Sequence, residues 1–72
     1  MNDFAKKLGL TIKLERTRRS MSQEELSDLT GMTQSHLSKI EIGKVNITVI
    51  KLMLIAEAFN LSISELLELV DS

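Results

Sequence analysis

The sequence predicts an all-α fold, a single bundle of five short helices spanning residues 1–72. Three observations carry that prediction. Apolar residues recur at three- and four-residue spacing from one end of the chain to the other. Strand patterning is lacking, because the one β-rich run, Val45 to Ile50, is broken by Asn46 and Thr48. Cap residues and glycines divide the chain into five stretches, and no proline interrupts them.

The first stretch, about Phe4 to Arg19, sets Phe4, Leu8, Ile12 and Arg16 at four-residue steps, which predicts an inward face. Leu10 and Leu14 form a shorter stripe on another side. Gly9 costs about 1 kcal/mol against alanine, so the first turn is expected to fray. The second stretch opens on Ser22-Gln23-Glu24-Glu25, a capping box. The Ser22 hydroxyl accepts from the Glu25 amide, and the Glu25 carboxylate accepts from the Ser22 amide. Leu26 and Leu29 are its expected inward pair and Gly31 its left-handed stop. Thr33 caps the third stretch, with Leu37 and Ile40 turned inward and Gly43 ending it. The fourth, about Thr48 to Phe59, carries Leu52, Ile55, Ala56 and Phe59 on one face. The fifth begins at Ser62, where Glu65 closes another capping box, and carries Leu66, Leu67, Leu69 and Val70.

Composition bounds the function. A chain of 72 residues holds one small core and has no room for an inducer-binding domain, so no small-molecule effector is expected. The absence of cysteine excludes a disulfide framework and thiolate metal sites, and a single histidine cannot assemble a zinc site without carboxylate help. Neither a metal nor a cofactor is expected. No apolar run approaches a membrane span of about 18 residues, and the chain opens without a secretory apolar block. These features read as a cytoplasmic protein with no membrane partner. The methionines (Met1, Met21, Met32 and Met53) read as core filler or chain ends. An enzyme is not expected. His36 has no cysteine to activate, the serines lack a nucleophile elbow, and the glycines are isolated. The pairs Glu24–Glu25 and Glu65–Glu68 are explained by caps and solvated faces.

The net charge of −1 conceals an asymmetry. Residues 1–20 carry Lys6, Lys7, Lys13, Arg16, Arg18 and Arg19 against Asp3 and Glu15, a net +4. Residues 45–72 carry Lys51 against Glu57, Glu65, Glu68 and Asp71, a net −3. Polyanion binding follows the local field over a contact face rather than the total. Arg18 and Arg19 themselves read as a solvated basic helix end.

The second and third stretches have about eight residues each, too few to be stable alone in water. Each must dock on the longer helices, which leaves the outer face of the third free. That face is Gln34, Ser35, Ser38 and Lys39, with His36 at its flank. It offers amide, hydroxyl and ammonium groups and no carboxylate. Such groups match the edges of base pairs in a DNA major groove: Gln pairs with adenine, Lys donates to guanine, and Ser serves either. An ordinary solvated helix surface has the same residue types.

The motifs taken together are more specific. Ser22-Gln23-Glu24-Glu25-Leu26, Gly31, Thr33-Gln34-Ser35-His36-Leu37-Ser38-Lys39-Ile40-Glu41, Gly43 and Leu52-x-x-Ile55-Ala56 resemble the lambda-repressor-like helix-turn-helix family. That family includes phage repressors, Cro proteins and the controllers of restriction-modification systems. The resemblance covers about Leu8 to Leu67. It implies a helix-turn-helix over about 22–42, formed by helices two and three, with the third helix in the major groove of double-stranded DNA. It implies base contacts from Gln34, Ser35, Ser38, Lys39 and His36, and phosphate contacts from Gln23, Thr33, Lys44 and Asn46. Gln23 and Thr33 stand at helix amino termini, whose free N–H groups favour phosphate. Arg16 and Glu41 match a family pair that forms a structural salt bridge. The run Gly43-Lys44-Val45-Asn46 lacks the proline that many members carry there, closer to the restriction controllers. Gln34-Ser35-His36 is not the usual controller triplet, so no operator is implied.

The region of about 48–72 holds more apolar residues than one small core needs. Ile50, Leu54, Ile63, Leu69 and Val70 are the expected homodimer interface. Pairing there would set two recognition helices about 34 Å apart on a palindromic site. The leading expectation is a homodimeric transcriptional regulator, repressor or controller. The alternative is an antitoxin or protein-interaction module that turns the same apolar surface to another protein.

Overall fold

The computed structural model describes residues 3–71, so Met1 lies outside the described residues. Five helices follow in order: α1 (Asp3–Arg18), α2 (Gln23–Thr30), α3 (Gln34–Glu41), α4 (Val49–Ala58) and α5 (Ile63–Asp71). No strand occurs among the described residues. The capping boxes form: Glu25 N donates to Ser22 Oγ and Ser22 N to Glu25 Oε1, both at 3.0 Å. Ser62 and Glu65 repeat the arrangement at 2.8 and 3.0 Å. Thr33 and Thr48 cap α3 and α4. Gly31 and Gly43 take the left-handed conformation, each with φ of 76°. Ser20 and Asn60 do the same at the ends of α1 and α4, where the sequence offers no glycine.

One core gathers all five helices, with Ile12, Leu26, Leu37, Ile55, Phe59 and Leu66 fully enclosed. α1 packs on α3 and α5, α2 packs on α3 and α4, and α4 also meets α5. Four expectations are corrected. Gly9 does not interrupt α1, which is helical from Asp3. It is buried where α1 crosses the end of α3, and a Cβ there would stand 2.2 Å from the Ile40 carbonyl oxygen. Phe4 is half exposed, because the buried face of α1 is Ala5, Leu8, Gly9, Ile12 and Glu15. Four-residue steps advance about 40° each around an α-helix, so Phe4 has rotated off that face.

Leu29 is 61% exposed, and Thr30 takes the inward position beside Leu26. The buried Thr30 hydroxyl is satisfied, donating to the Leu26 carbonyl at 2.7 Å and accepting from Met32 N. Val70, expected at an interface, is 7% exposed and belongs to the monomer core. Val70 lies one turn beyond enclosed Leu66 on the buried side of α5. Met32 is core and Met21 packs against it, whereas Met53 is exposed.

Candidate functional site

α3 owes its placement to two inward residues and a knot of charge. Leu37 and Ile40 dock in the core, and the helix ends at buried Glu41. The Glu41 carboxylate accepts from Arg16 Nε at 2.7 Å, from the second Arg16 nitrogen Nη2 at 3.1 Å, and from Gln23 Nε2 at 3.0 Å. Arg16 Nη1 also donates to the Met21 carbonyl at 2.8 Å. Side chains from α1 and α2 therefore converge on the last residue of α3, whose side chain is only 3% exposed. Donation of hydrogen bonds to Glu41 raises the Arg16 guanidinium above its ordinary pKa, against the opposing effect of burial. No buried side-chain nitrogen or oxygen among the described residues lacks a partner.

With α3 held from behind, its front is free. Gln34, Ser35, Ser38 and Lys39 are all exposed, and no side-chain hydrogen bond or ion pair among the described residues engages them. Thr33, Lys44 and Asn46 are exposed around this helix. The Thr33 hydroxyl accepts from His36 N at 3.1 Å, which makes it the cap as well as a flanking group. Gln23 is half-buried and spends one amide hydrogen on Glu41, leaving its second N–H and its carbonyl available. His36 is half-buried, and its Nε2 lies 3.2 Å from Lys51 Nζ of α4.

The sequence reading missed three features. Lys51 stands beside His36, and the only clue was that a cation in the first turn of a helix opposes the macrodipole. Arg19 is no solvated end. It caps the Phe59 ring at 4.9 Å, donates to the Phe59 carbonyl at 3.2 Å, and pairs with buried Glu15 at 2.7 Å. Finally, α4 turns Val49 and Met53 to solvent, at 68% and 45% exposure, beside the expected Ile50 at 71%. Their spacing places them on one face with half-buried Leu54. Ile63 is half-buried against the core, and half-buried Leu69 lines a groove with Leu10 and Leu14 of α1. The expected interface residues thus divide between an exposed α4 face, a groove on α1 and α5, and the core.

The helix-turn-helix family matches residues 12–66. An uncharacterised helix-turn-helix-type transcriptional regulator, y4dJ of Sinorhizobium fredii, is 36% identical over 64 residues, covering 89% of this chain and 83% of that protein. The control protein C.SmaI of Serratia marcescens is 28% identical over 65 residues, covering 90% and 77% respectively. Among solved structures, the restriction-modification controller C.AhdI of Aeromonas hydrophila superimposes with a TM-score of 0.82 at 29% identity. That match covers 86% of this chain and 94% of the controller.

Proposed function

The chain belongs to the helix-turn-helix family, and on that premise we propose that it is a homodimeric transcriptional regulator that binds a palindromic operator in double-stranded DNA. The family is one of DNA-binding regulators rather than enzymes. The control protein of similar sequence and the similar controller structure support a restriction-modification controller, which in this reading acts in the cytoplasm. One observation carries the reading: an eight-residue helix, braced from behind by Arg16 and Gln23, whose outward polar groups have no partner among the described residues.

In this reading α3 enters the major groove, where Gln34, Ser35, Ser38 and Lys39 meet base edges, with His36 at the side. Thr33, Lys44, Asn46 and the free N–H of Gln23 meet phosphates and fix the register. A second copy packs against the α4 face of Val49, Ile50, Met53 and Leu54. A contiguous apolar surface of this kind marks an interface.

The test is selection of bound sites from random duplexes, followed by titration of the recovered site. Gln34→Ala and Lys39→Ala should each weaken binding by about 1–3 kcal/mol. Unchanged affinity in both variants would refute the assigned face. The exposed α4 face also suits a protein-interaction module. Sedimentation separates the two: a monodisperse dimer supports the regulator, and aggregation relieved by a co-expressed neighbour supports the module.

A further inference from the structure

We infer that Lys51, outside the recognition helix, is a positioning residue for sequence reading: it fixes the tautomer of His36 so that the imidazole offers an Nδ1–H donor to the duplex. The inference rests on the DNA-binding reading above. Lys51 Nζ lies 3.2 Å from His36 Nε2, with both side chains partly buried. An ammonium group has donors only, so Nε2 must accept and the ring proton must sit on Nδ1. In free histidine the neutral ring favours the other tautomer, with its proton on Nε2. Contact with Lys51 therefore converts Nδ1 from an acceptor into a donor. Among the described residues Nδ1 has no hydrogen-bond partner, and it is not buried.

The two residues are matched in their own helices. His36 is the third residue of α3, and its amide is held by the Thr33 hydroxyl at 3.1 Å. Lys51 is the third residue of α4, and its amide is held by the Thr48 hydroxyl at 3.2 Å. Two capped helix starts thus fix both backbones, and the side chains meet between them. A cation at this point opposes the α4 dipole, so local helix stability does not account for Lys51. A donor at His36 suits guanine O6 or N7, adenine N7 or thymine O4, and opposes the amino groups of cytosine and adenine.

The chain has one histidine, so its ring nitrogens are read without ambiguity by long-range proton–nitrogen correlation on labelled protein. In the unmodified protein at a pH where the ring is neutral, Nδ1 should carry the proton. Lys51→Met, which keeps the aliphatic stem, should return the proton to Nε2, and Lys51→Arg should restore it to Nδ1. Site selection with the same proteins should show Lys51→Met losing discrimination at one base pair per half-site. The loss should be about 2- to 10-fold, the worth of one neutral hydrogen bond, with unchanged preference elsewhere. An Nε2–H ring in the unmodified protein overturns the inference. So does a Lys51→Met variant that loses affinity evenly across sequences with a shallower salt dependence, which would make Lys51 a phosphate contact. Failure of every protein to select any site overturns the DNA-binding reading instead, whatever the tautomer.

Discussion

Replacing Arg16 by methionine separates two contributions of the charged knot behind α3. Arg16→Met keeps the packing of the stem but removes both hydrogen bonds to Glu41 and the one to the Met21 carbonyl. The Glu41 side chain, 3% exposed, would then keep only the Gln23 amide. Stripping one partner from a buried pair costs about 3–5 kcal/mol, because the remaining charge is left uncompensated. At about 0.05–0.15 kcal/mol per residue, a 72-residue domain has roughly 4–11 kcal/mol in all. The single substitution should therefore remove between about a quarter and all of the stability.

The double variant Arg16→Met, Glu41→Leu removes the stranded charge as well and should recover most of the loss. Urea denaturation followed by circular dichroism measures all three proteins, and operator titration measures the survivors. The folded double variant should still bind weakly, because no polar side-chain contact then joins α1 and α2 to the end of α3 and apolar packing alone holds it. A single variant within about 1 kcal/mol of the parent, or a double variant no more stable than the single, would refute this reasoning. The unmodified pair should be insensitive to ordinary pH changes through Arg16. Its folded pKa is raised, so its contribution is complete below the unfolded value and is lost only as pH climbs through the higher folded one.

Three other outcomes are expected. Gly9→Ala gains about 1 kcal/mol of helix propensity but drives its methyl into the Ile40 and Glu41 carbonyls, which are backbone and cannot step aside. A net loss of about 1 kcal/mol or more should appear in thermal unfolding. Ile50→Glu, at a position 71% exposed, should leave monomer stability within about 0.5 kcal/mol yet shift sedimentation from dimer to monomer. Thr33→Ala should cost about 1 kcal/mol in denaturation through loss of the cap on His36 N.

Much of the fold was legible because its boundaries are written in local chemistry. Ser22 with Glu25 and Ser62 with Glu65 announce helix starts, and their reciprocal bonds form as expected. Which face of a short helix turns inward was less legible. In α2 the pair Leu26 and Thr30 is buried and Leu29 is not. Hydrophobicity ranks leucine above threonine, but a threonine that bonds its own helix carbonyl is inexpensive to enclose. Gly9 misled for a related reason: propensity scores a residue within its own helix and knows nothing of the carbonyls that cross it. At the candidate site, residue types alone marked the outward polar face of α3. The meeting of Lys51 with His36 joins two elements and could not be read from either one.

The bare crossing at Gly9 has a mechanical consequence. With no side chain between α1 and the carbonyls that close α3, the reading helix has no cushion on which to tilt or slide. Adaptation at the contact then falls to the duplex. Operators should be ranked by how readily their untouched base steps bend into register, as well as by the bases that are touched.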